Sequence, residues 1–133
     1  MFAKKRMELL KRTVTACGAT RVQLVRADLI TGLPFGDAFD CVFVDAPCSG
    51  LGTLRRDPDI KWRRREEELA VLAAAQLRRC VGRAAAAVAV GGRLIYATCS
   101  SEPDENEAVA TRFLAASPHF VPLHPEYPRC LDP

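Results

Sequence analysis

The stretch FDCVFVDAPCSG, residues 39–50, decides the fold because it joins a strand pattern to a turn that carries reactive side chains. Within Phe39 to Asp45, the continuous apolar run from Cys41 to Val44 is typical of a strand in a sheet that is covered on both faces. Pro47 and Cys48 follow at the end of the strand, where open α/β sheets gather ligands and chemistry. The stretch therefore predicts an α/β domain with a site at the carboxyl end of this strand.

A second stretch with the same design, LIYATCS, lies at residues 94–100. Its apolar run, Leu94 to Ala97, predicts another buried strand, and Cys99 follows directly after it. If the two strands are neighbours, the thiols of Cys48 and Cys99 face one crevice. Two thiols at one site suit a reaction that adds a nucleophile to a ring and later removes it.

The remaining pattern alternates helices with strands, which predicts a mostly parallel sheet. Helices are predicted over Lys4 to Ala16, Arg63 to Val90 and Glu105 to Ala116, and strands over Val22 to Val25, Phe39 to Asp45, Arg93 to Thr98 and Phe120 to Leu123. Gly91 and Gly92 are expected to end the long helix. The apolar run from Ala84 to Val90 is too short to cross a bilayer, so no membrane partner is expected.

Composition predicts a globular protein of a reducing compartment. The chain has 133 residues, of which 49% are hydrophobic and 26% charged, and this length suits one domain. Six cysteines are scattered without a C-x-x-C pair, no secretory leader is evident, and only two histidines are present. We therefore expect a cytoplasmic protein without disulfides or a metal site. The residues expected to be buried and structural are Cys17, Cys41, Cys80, Cys130, Phe43 and Tyr96.

Positive charge is concentrated in one stretch although the net charge is only +3. Residues 55–65 hold six arginines and lysines together with Trp62 (Arg55, Arg56, Lys61, Arg63, Arg64 and Arg65). A basic cluster with an aromatic side chain is typical of surfaces that bind nucleic acid. The alternative, a solvated helix start, is equally compatible with composition alone.

Two longer motifs carry a family resemblance. DAPCSGLGTLRRDPDIKW, residues 45–62, and LIYATCSSEPDENE, residues 94–107, resemble the two signatures of the RsmB/NOL1/NOP2/Sun family of RNA cytosine-C5 methyltransferases. The bacterial branch that modifies ribosomal RNA is most similar. The resemblance covers residues 4–117, with the motif segments at 22–62 and 93–107, whereas the tail at 119–133 matches poorly.

The resemblance implies a covalent mechanism. A family member transfers a methyl group from S-adenosylmethionine to C5 of a cytosine in RNA, here ribosomal RNA, after a cysteine adds to C6. By this resemblance Cys99 is the nucleophile and Cys48 assists release of the product. Asp45 would lie near N3 and N4 of cytosine and border the cofactor, and Asp28 would lie beside the adenine of the cofactor.

The resemblance also implies an RNA surface, because the target base must leave its stack to reach such a crevice. Arg55, Arg56, Lys61 and Arg63 are expected to hold phosphates, which positions RNA without reading its sequence. Two alternatives stay open: a truncated, non-catalytic remnant that binds RNA through this stretch, and a thiol redox protein. The second is disfavoured because the chain lacks a C-x-x-C pair.

The family's fold is a Rossmann-like methyltransferase sheet, and the chain matches only part of it. The first two strands with their glycine-rich cofactor loop, and the closing strand, have no counterpart in residues 1–133. We therefore expect an incomplete catalytic domain that needs the missing N-terminal half in cis or in trans, and that alone binds cofactor weakly and is inactive. Val22 to Val25 is expected to stay detached from Phe39 to Asp45, because the strands that would join them are missing.

Overall fold

A computed structural model describes residues 2–29 and 31–123, with side chains from residue 5 onward. The chain divides into two compact units, Met1–Pro34 and Phe35–Pro133, which are described separately. Within the described residues, no helix is both long enough and apolar enough to span a bilayer.

The first unit is a helix followed by an irregular segment. Helix α1 spans Phe2–Ala16, and it stops where Gly18 adopts a positive φ of 63°. The strand predicted over Val22 to Val25 is wrong: these residues form no strand, and Val22 and Val25 are 49% and 53% exposed. β-branched residues favour a strand only where a neighbouring strand supplies hydrogen bonds and a packing surface.

The second unit contains a two-stranded parallel sheet. Strand β1 spans Phe39–Asp45 and strand β2 spans Val88–Ala97, with Cys41 opposite Arg93 and Asp45 opposite Ala97. The boundaries predicted for β1 are confirmed, and β2 includes most of the strand predicted from Arg93. Parallel pairing brings the carboxyl ends of β1 and β2 to the same edge of the sheet.

The single helix predicted from Arg63 to Val90 is wrong, because the segment is interrupted. The helical pieces are α2 (Ile60–Arg63), α3 (Glu66–Ala75), a π-helical segment (Gln76–Val81) and α4 (Gly82–Ala85). Arg64 and Arg65 have extended backbone conformations, with ψ angles of 145° and 148°, so α2 and α3 are separate.

Gly91 and Gly92 do not end a helix, since they lie inside β2. The register with β1 shifts between Phe39, which pairs with Val88, and Cys41, which pairs with Arg93. Gly91 has a φ of 79°, and a Cβ on Gly92 would lie 2.9 Å from the Ala89 carbonyl oxygen. Residues 89–92 of β2 thus stand against the single residue Asp40 of β1, and both glycines lie in this irregularity, which is called the bulge below.

The core lies on one face of the sheet. Helix α5 spans Glu107–Ala116, so it ends as predicted but begins two residues later than the predicted Glu105. The buried members of the core come from α3, the π-helical segment and α5: Ala73, Val81, Val109 and Phe113. Leu94 and Tyr96 of β2 pack against this cluster, and the ring of Phe113 meets that of Phe120 edge to face at 5.1 Å.

The opposite face of the sheet is open. Phe43 and Ile95, which pair across the two strands, are 63% and 44% exposed. The expectation of a sheet covered on both faces, with Phe43 and Cys41 in the core, is therefore wrong for the described residues. Side chains alternate along a strand, so the apolar run of β1 serves both faces, but the core cluster covers only one.

The end of the chain differs from its prediction as well. Residues 120–123 form no strand, and Val121 and Leu123 are mainly exposed. Cys17 is exposed, contrary to expectation, whereas Cys80 is buried as expected. Cys130 and the remainder of the tail from residue 124 lie outside the described residues.

Candidate active site

The two motif cysteines meet at the carboxyl edge of the sheet. Asp45 and Ala97 end paired strands, and the N–H of Ala46 donates to the Ala97 carbonyl at 3.0 Å, which carries the pairing into the loops. The Sγ atoms of Cys48 and Cys99 lie 2.8 Å apart, and the backbone N–H of Cys99 donates to Cys48 Sγ at 3.2 Å. The expectation that the two thiols lie together at this edge is confirmed.

A close backbone approach holds the two loops together beyond the thiols. The first loop turns at Gly50, where φ is 80°, and continues into a short 3-10 helix, Leu51–Thr53. In that turn, the N–H of Gly52 donates to the Cys99 carbonyl at 3.0 Å. A Cβ on Gly52 would lie 2.8 Å from that carbonyl oxygen, so the approach requires glycine.

A buried polar network lies beneath Cys48. The carboxylate of Glu105, which is fully buried, accepts the N–H of Ser49 at 2.9 and 3.2 Å through its two oxygens. The amide nitrogen of Gln76, also fully buried, donates to Glu105 and to the Pro47 carbonyl, both at 2.9 Å. The peptide groups on both sides of Cys48 are thus hydrogen-bonded to buried side chains.

Tyr96 closes this network from β2. Its hydroxyl lies 2.6 Å from the Glu105 carbonyl oxygen and 3.1 Å from Gln76 Oε1. Burial, and next the Glu105 carboxylate, raise the pKa of Tyr96, so the hydroxyl keeps its proton and acts as a donor. A satisfied buried network of this kind fixes one arrangement, because each unpaired group would be costly.

The environment of Cys99 favours its thiol form. The hydrogen bond with the Cys48 side chain raises the pKa of Cys99 most, followed by burial and by the negative charges of Cys48 and Asp45. The Asp45 carboxylate, although exposed, is therefore close enough to act on Cys99. Since the thiolate is the nucleophilic form, attack by Cys99 requires that its proton leave first.

The Glu105 carboxylate is charged although it is buried. Burial alone would raise its pKa, but hydrogen bonds from Ser100, Ser49 and Gln76 outweigh burial and lower the pKa of Glu105. A carboxyl with a lower pKa in the folded than in the unfolded state adds stability above the unfolded pKa, about 4.3, and this stability is lost as the pH falls through the folded pKa.

Lowering the pH should therefore reduce the free energy of unfolding of the native chain more than that of the Glu105→Gln variant. We expect the difference in free energy of unfolding between them to shrink from about pH 7 to about pH 3. Urea titrations at both pH values measure it. Glu107→Gln, which removes an exposed carboxylate from the same region, should keep the native pH dependence. An undiminished difference at low pH would mean that Glu105 is not charged in the fold.

The basic residues near the first motif differ in their surroundings. Arg55, Arg56 and Lys61 are exposed, whereas one guanidinium nitrogen of Arg63, Nη2, donates to both carboxylate oxygens of Asp57 at 3.0 and 3.2 Å. The ammonium of Lys61 lies 4.9 Å from the ring centre of Trp62, which is 80% exposed. These observations leave the RNA-binding assignment a prediction.

Asp28 belongs to the first unit, so its position relative to the thiols is not described. Its carbonyl accepts hydrogen bonds from the backbone and hydroxyl of Thr31 and from the N–H of Gly32, which forms a turn. A cavity of about 840 Å³ in this unit lies between α1 and residues 18–26, and Met7, Val14 and Leu24 contribute to its lining.

Sequence reasoning missed the residues that support the cysteines. Gln76 stands in a predicted helix without any motif, and Glu105 and Asn106 stand in the sequence only as the start of the helix predicted from Glu105. Arg64, whose Nε donates to the Ser49 carbonyl at 3.0 Å, was grouped with the basic cluster. The one available signal in the sequence was Glu105, because its carboxylate lies inside the second motif, next to a helix whose apolar residues face the core.

Comparisons with known proteins agree on one family. The family model described as 16S rRNA methyltransferase RsmB/F matches residues 2–126. The chain is 34% identical over 131 residues to ribosomal RNA small subunit methyltransferase F of Shigella dysenteriae, covering 96% of this chain and 27% of the relative. It is 47% identical over 83 residues to ribosomal RNA small subunit methyltransferase B of Sodalis glossinidius, covering 62% and 19%.

A solved structure gives the same result for the fold. The crystal structure of PH0851 superimposes with a TM-score of 0.84 and 35% sequence identity, covering 94% of this chain and 29% of that one. The chain thus spans about a quarter of the length of the curated relative from Shigella dysenteriae, 27%.

Proposed function

This chain belongs to the 16S rRNA methyltransferase RsmB/F family, and on that premise we propose that it takes part in methylation of cytosine C5 in ribosomal RNA through a covalent cysteine adduct. The observation that carries the proposal is the 2.8 Å separation of Cys48 Sγ and Cys99 Sγ at the carboxyl edge of the sheet. This separation supports the proposal, because it would allow a nucleophile and a second group for its removal to act on one ring.

Cys99 is the nucleophile in this proposal. After its proton leaves, the thiolate electron pair forms a bond to C6 of cytosine, and C5 becomes electron-rich. S-adenosylmethionine, when bound, supplies the methyl group that C5 takes up. The C5 proton then leaves, its electron pair restores the ring double bond, and the bond between C6 and Cys99 Sγ breaks. Cys48, beside that sulfur, assists this release.

Asp45 assists at the base and at the cofactor. An exposed carboxylate at the end of β1, close enough to influence Cys99, fits a partner for N3 and N4 of cytosine. A hydrogen bond to protonated N3 would make C6 more electrophilic. The same carboxylate fits the hydroxyl or amino donors of S-adenosylmethionine, and Asp28 is proposed to lie beside its adenine.

RNA is proposed to bind through exposed cations of the first motif. Arg55, Arg56 and Lys61 are available for phosphate contacts, and Arg63 can keep its pair with Asp57 while it faces solvent. Such contacts give affinity and orientation, and they weaken as salt rises.

Activity is proposed to need the remainder of the methyltransferase domain, in cis or in trans. The described sheet has two strands, and its Phe43 and Ile95 face is exposed. An exposed apolar sheet face favours a covering layer. We therefore propose that these residues alone are inactive and bind S-adenosylmethionine weakly.

A trapping experiment tests the function. This chain, and the longest upstream extension that its gene encodes, are incubated with S-adenosylmethionine and ribosomal RNA that contains 5-fluorocytosine. Because fluorine at C5 does not leave as a proton does, we expect a denaturation-resistant protein–RNA adduct, mapped by mass spectrometry to the peptide of Cys99. RNA with unmodified cytosine is the control.

The pattern of bands separates the alternatives. An adduct from the extended form only would support the function and the need for the remainder of the domain. An adduct on another residue would contradict the role of Cys99. No adduct from either form would favour a non-catalytic remnant. Such a remnant should still bind RNA, and Arg55→Ala and Arg56→Ala should weaken that binding.

A further inference from the structure

Asn106 holds the loop of residues 98–102, the Cys99 loop, by hydrogen bonds. Glu105 holds the loop of residues 46–50, the Cys48 loop, in the same way. The amide nitrogen of Asn106 donates to the carbonyls of Ser100 at 3.0 Å and Glu102 at 2.9 Å. Its amide oxygen accepts the hydroxyl of Thr98 at 2.6 Å, and that hydroxyl in turn accepts the N–H of Ser100 at 3.2 Å. The residues on both sides of Cys99 are thus tied to one side chain.

The two supports are consecutive in the chain. Glu105 ends a short 3-10 helix, Pro103–Glu105, and Asn106 precedes α5. At Asn106 the backbone has a φ of −116° and a ψ of −94°, outside the regular helical region. One dipeptide therefore reaches both cysteine loops.

We propose that Glu105 and Asn106 are a pair of positioning residues that hold the two cysteine loops so that the thiols meet, Glu105 mainly through the Cys48 loop and Asn106 through the Cys99 loop. Glu105 also accepts a hydrogen bond from Ser100 of the Cys99 loop. Neither side chain hydrogen-bonds to a sulfur, so both act through the backbone and hydroxyl groups that flank the cysteines. The assignment of release to Cys48 and of attack to Cys99 rests on the proposed function. The effect of Glu105 and Asn106 on the position of the two thiols does not.

Isosteric substitutions break each support separately. In Glu105→Gln, an amide oxygen at the Oε1 position can keep the bonds from Ser49 and Gln76, but the amide nitrogen then faces the Ser49 N–H, which lies 3.2 Å from the second oxygen in the native chain, and the negative charge is lost. In Asn106→Asp, an acceptor oxygen would face the carbonyls of Ser100 and Glu102, which need a donor. Glu107→Gln is the matched control on an exposed carboxylate.

Thiol reactivity tests the positioning without RNA or cofactor. The native chain and each variant are alkylated with iodoacetamide across a range of pH, and every cysteine is followed by mass spectrometry. Exposed Cys17 and Cys41 give reference rates, and buried Cys80 reports unfolding. When Cys48 moves away, the pKa of Cys99 should fall, because the Cys48 side chain is the largest cause of its rise.

We expect Glu105→Gln and Asn106→Asp to raise the alkylation rate of Cys99 near neutral pH by about threefold or more, with Cys80 still protected. Glu107→Gln should match the native chain. Unchanged rates in both variants with Cys80 protected would overturn the proposal. If Cys80 becomes reactive in Glu105→Gln, that variant has unfolded. The test then rests on Asn106→Asp, at a half-buried position, and on its alkylation rate at Cys99.

The trapping experiment then separates the two roles in the form of the protein that gives an adduct. With ordinary RNA, Glu105→Gln should accumulate adduct, because release through Cys48 is impaired, whereas Asn106→Asp should form less adduct, because attack by Cys99 is impaired. An equal loss in both would reduce the pair to a structural role. If the native protein forms no adduct while the alkylation shifts appear, the proposed function fails and the positioning role stands.

Discussion

Replacing Cys99 by alanine is expected to reduce methyl transfer to RNA by at least about a thousandfold, since the proposed mechanism assigns the covalent attack to this thiol. The neighbouring thiol, Cys48, whose Sγ lies 2.8 Å from that of Cys99, is assigned to product release and is not expected to take over the attack. Incorporation of labelled methyl groups into ribosomal RNA, measured on the catalytically competent form of the protein, gives the rate.

Cys48→Ala should give the opposite result, an adduct that accumulates. Attack by Cys99 remains, and its pKa is expected to fall without the Cys48 side chain, so an adduct should form with ordinary cytosine and persist. Cys41→Ala, which removes an exposed cysteine of β1, is the matched control and should leave both adduct and turnover at the native level. If Cys99→Ala formed an adduct, or if Cys48→Ala formed none, the assignment of attack to Cys99 and of release to Cys48 would be contradicted.

Gly52→Ala is expected to have the second large effect, because it forces apart the loops that carry the two cysteines. The added Cβ would lie 2.8 Å from the Cys99 carbonyl oxygen and 3.3 Å from the carbonyl carbons of Cys99 and Ser100. These are backbone atoms, which cannot rotate away as a side chain would. We expect a loss of about 1–3 kcal/mol in the free energy of unfolding, together with faster alkylation of Cys99.

Gly36→Ala is the matched control for this substitution. A Cβ at Gly36 would meet no atom within 4 Å, and the position has no positive φ that would disfavour alanine. Its free energy of unfolding in urea should equal or slightly exceed the native value, because alanine reduces the freedom of the unfolded chain. If Gly52→Ala were as stable as Gly36→Ala and left Cys99 alkylation unchanged, the close approach would not constrain the site.

The parts of the fold that local pattern controls could be predicted from the sequence. The apolar run before Asp45 gave β1 with its observed bounds, and the run before Ala97 gave the part of β2 that reaches the site. Because both cysteines follow at similar distances from these strand ends, their meeting required only that the strands be parallel neighbours. The pairing confirms that condition.

The parts that depend on packing could not be predicted in this way. Gly91 and Gly92 have the same local signature at a helix end and at a bulge, and only the register with β1 distinguishes the two. Gln76 is an ordinary helix residue until the π-helical segment places it beneath Pro47. Val22 to Val25 has strand propensity, but in the described chain no neighbouring strand completes its hydrogen bonds.

The bulge in β2 also makes the site sensitive to chain length. Downstream of Gly92, Leu94 and Tyr96 face the core while Ile95 faces outward. A single inserted or deleted residue between the bulge and the strand end would exchange these faces, because side chains alternate along a strand. Ile95 would then enter the core, and the Tyr96 hydroxyl would leave Glu105. The site should thus tolerate no odd change in residue number within this segment, a parity rule that a scan of single-residue insertions would reveal.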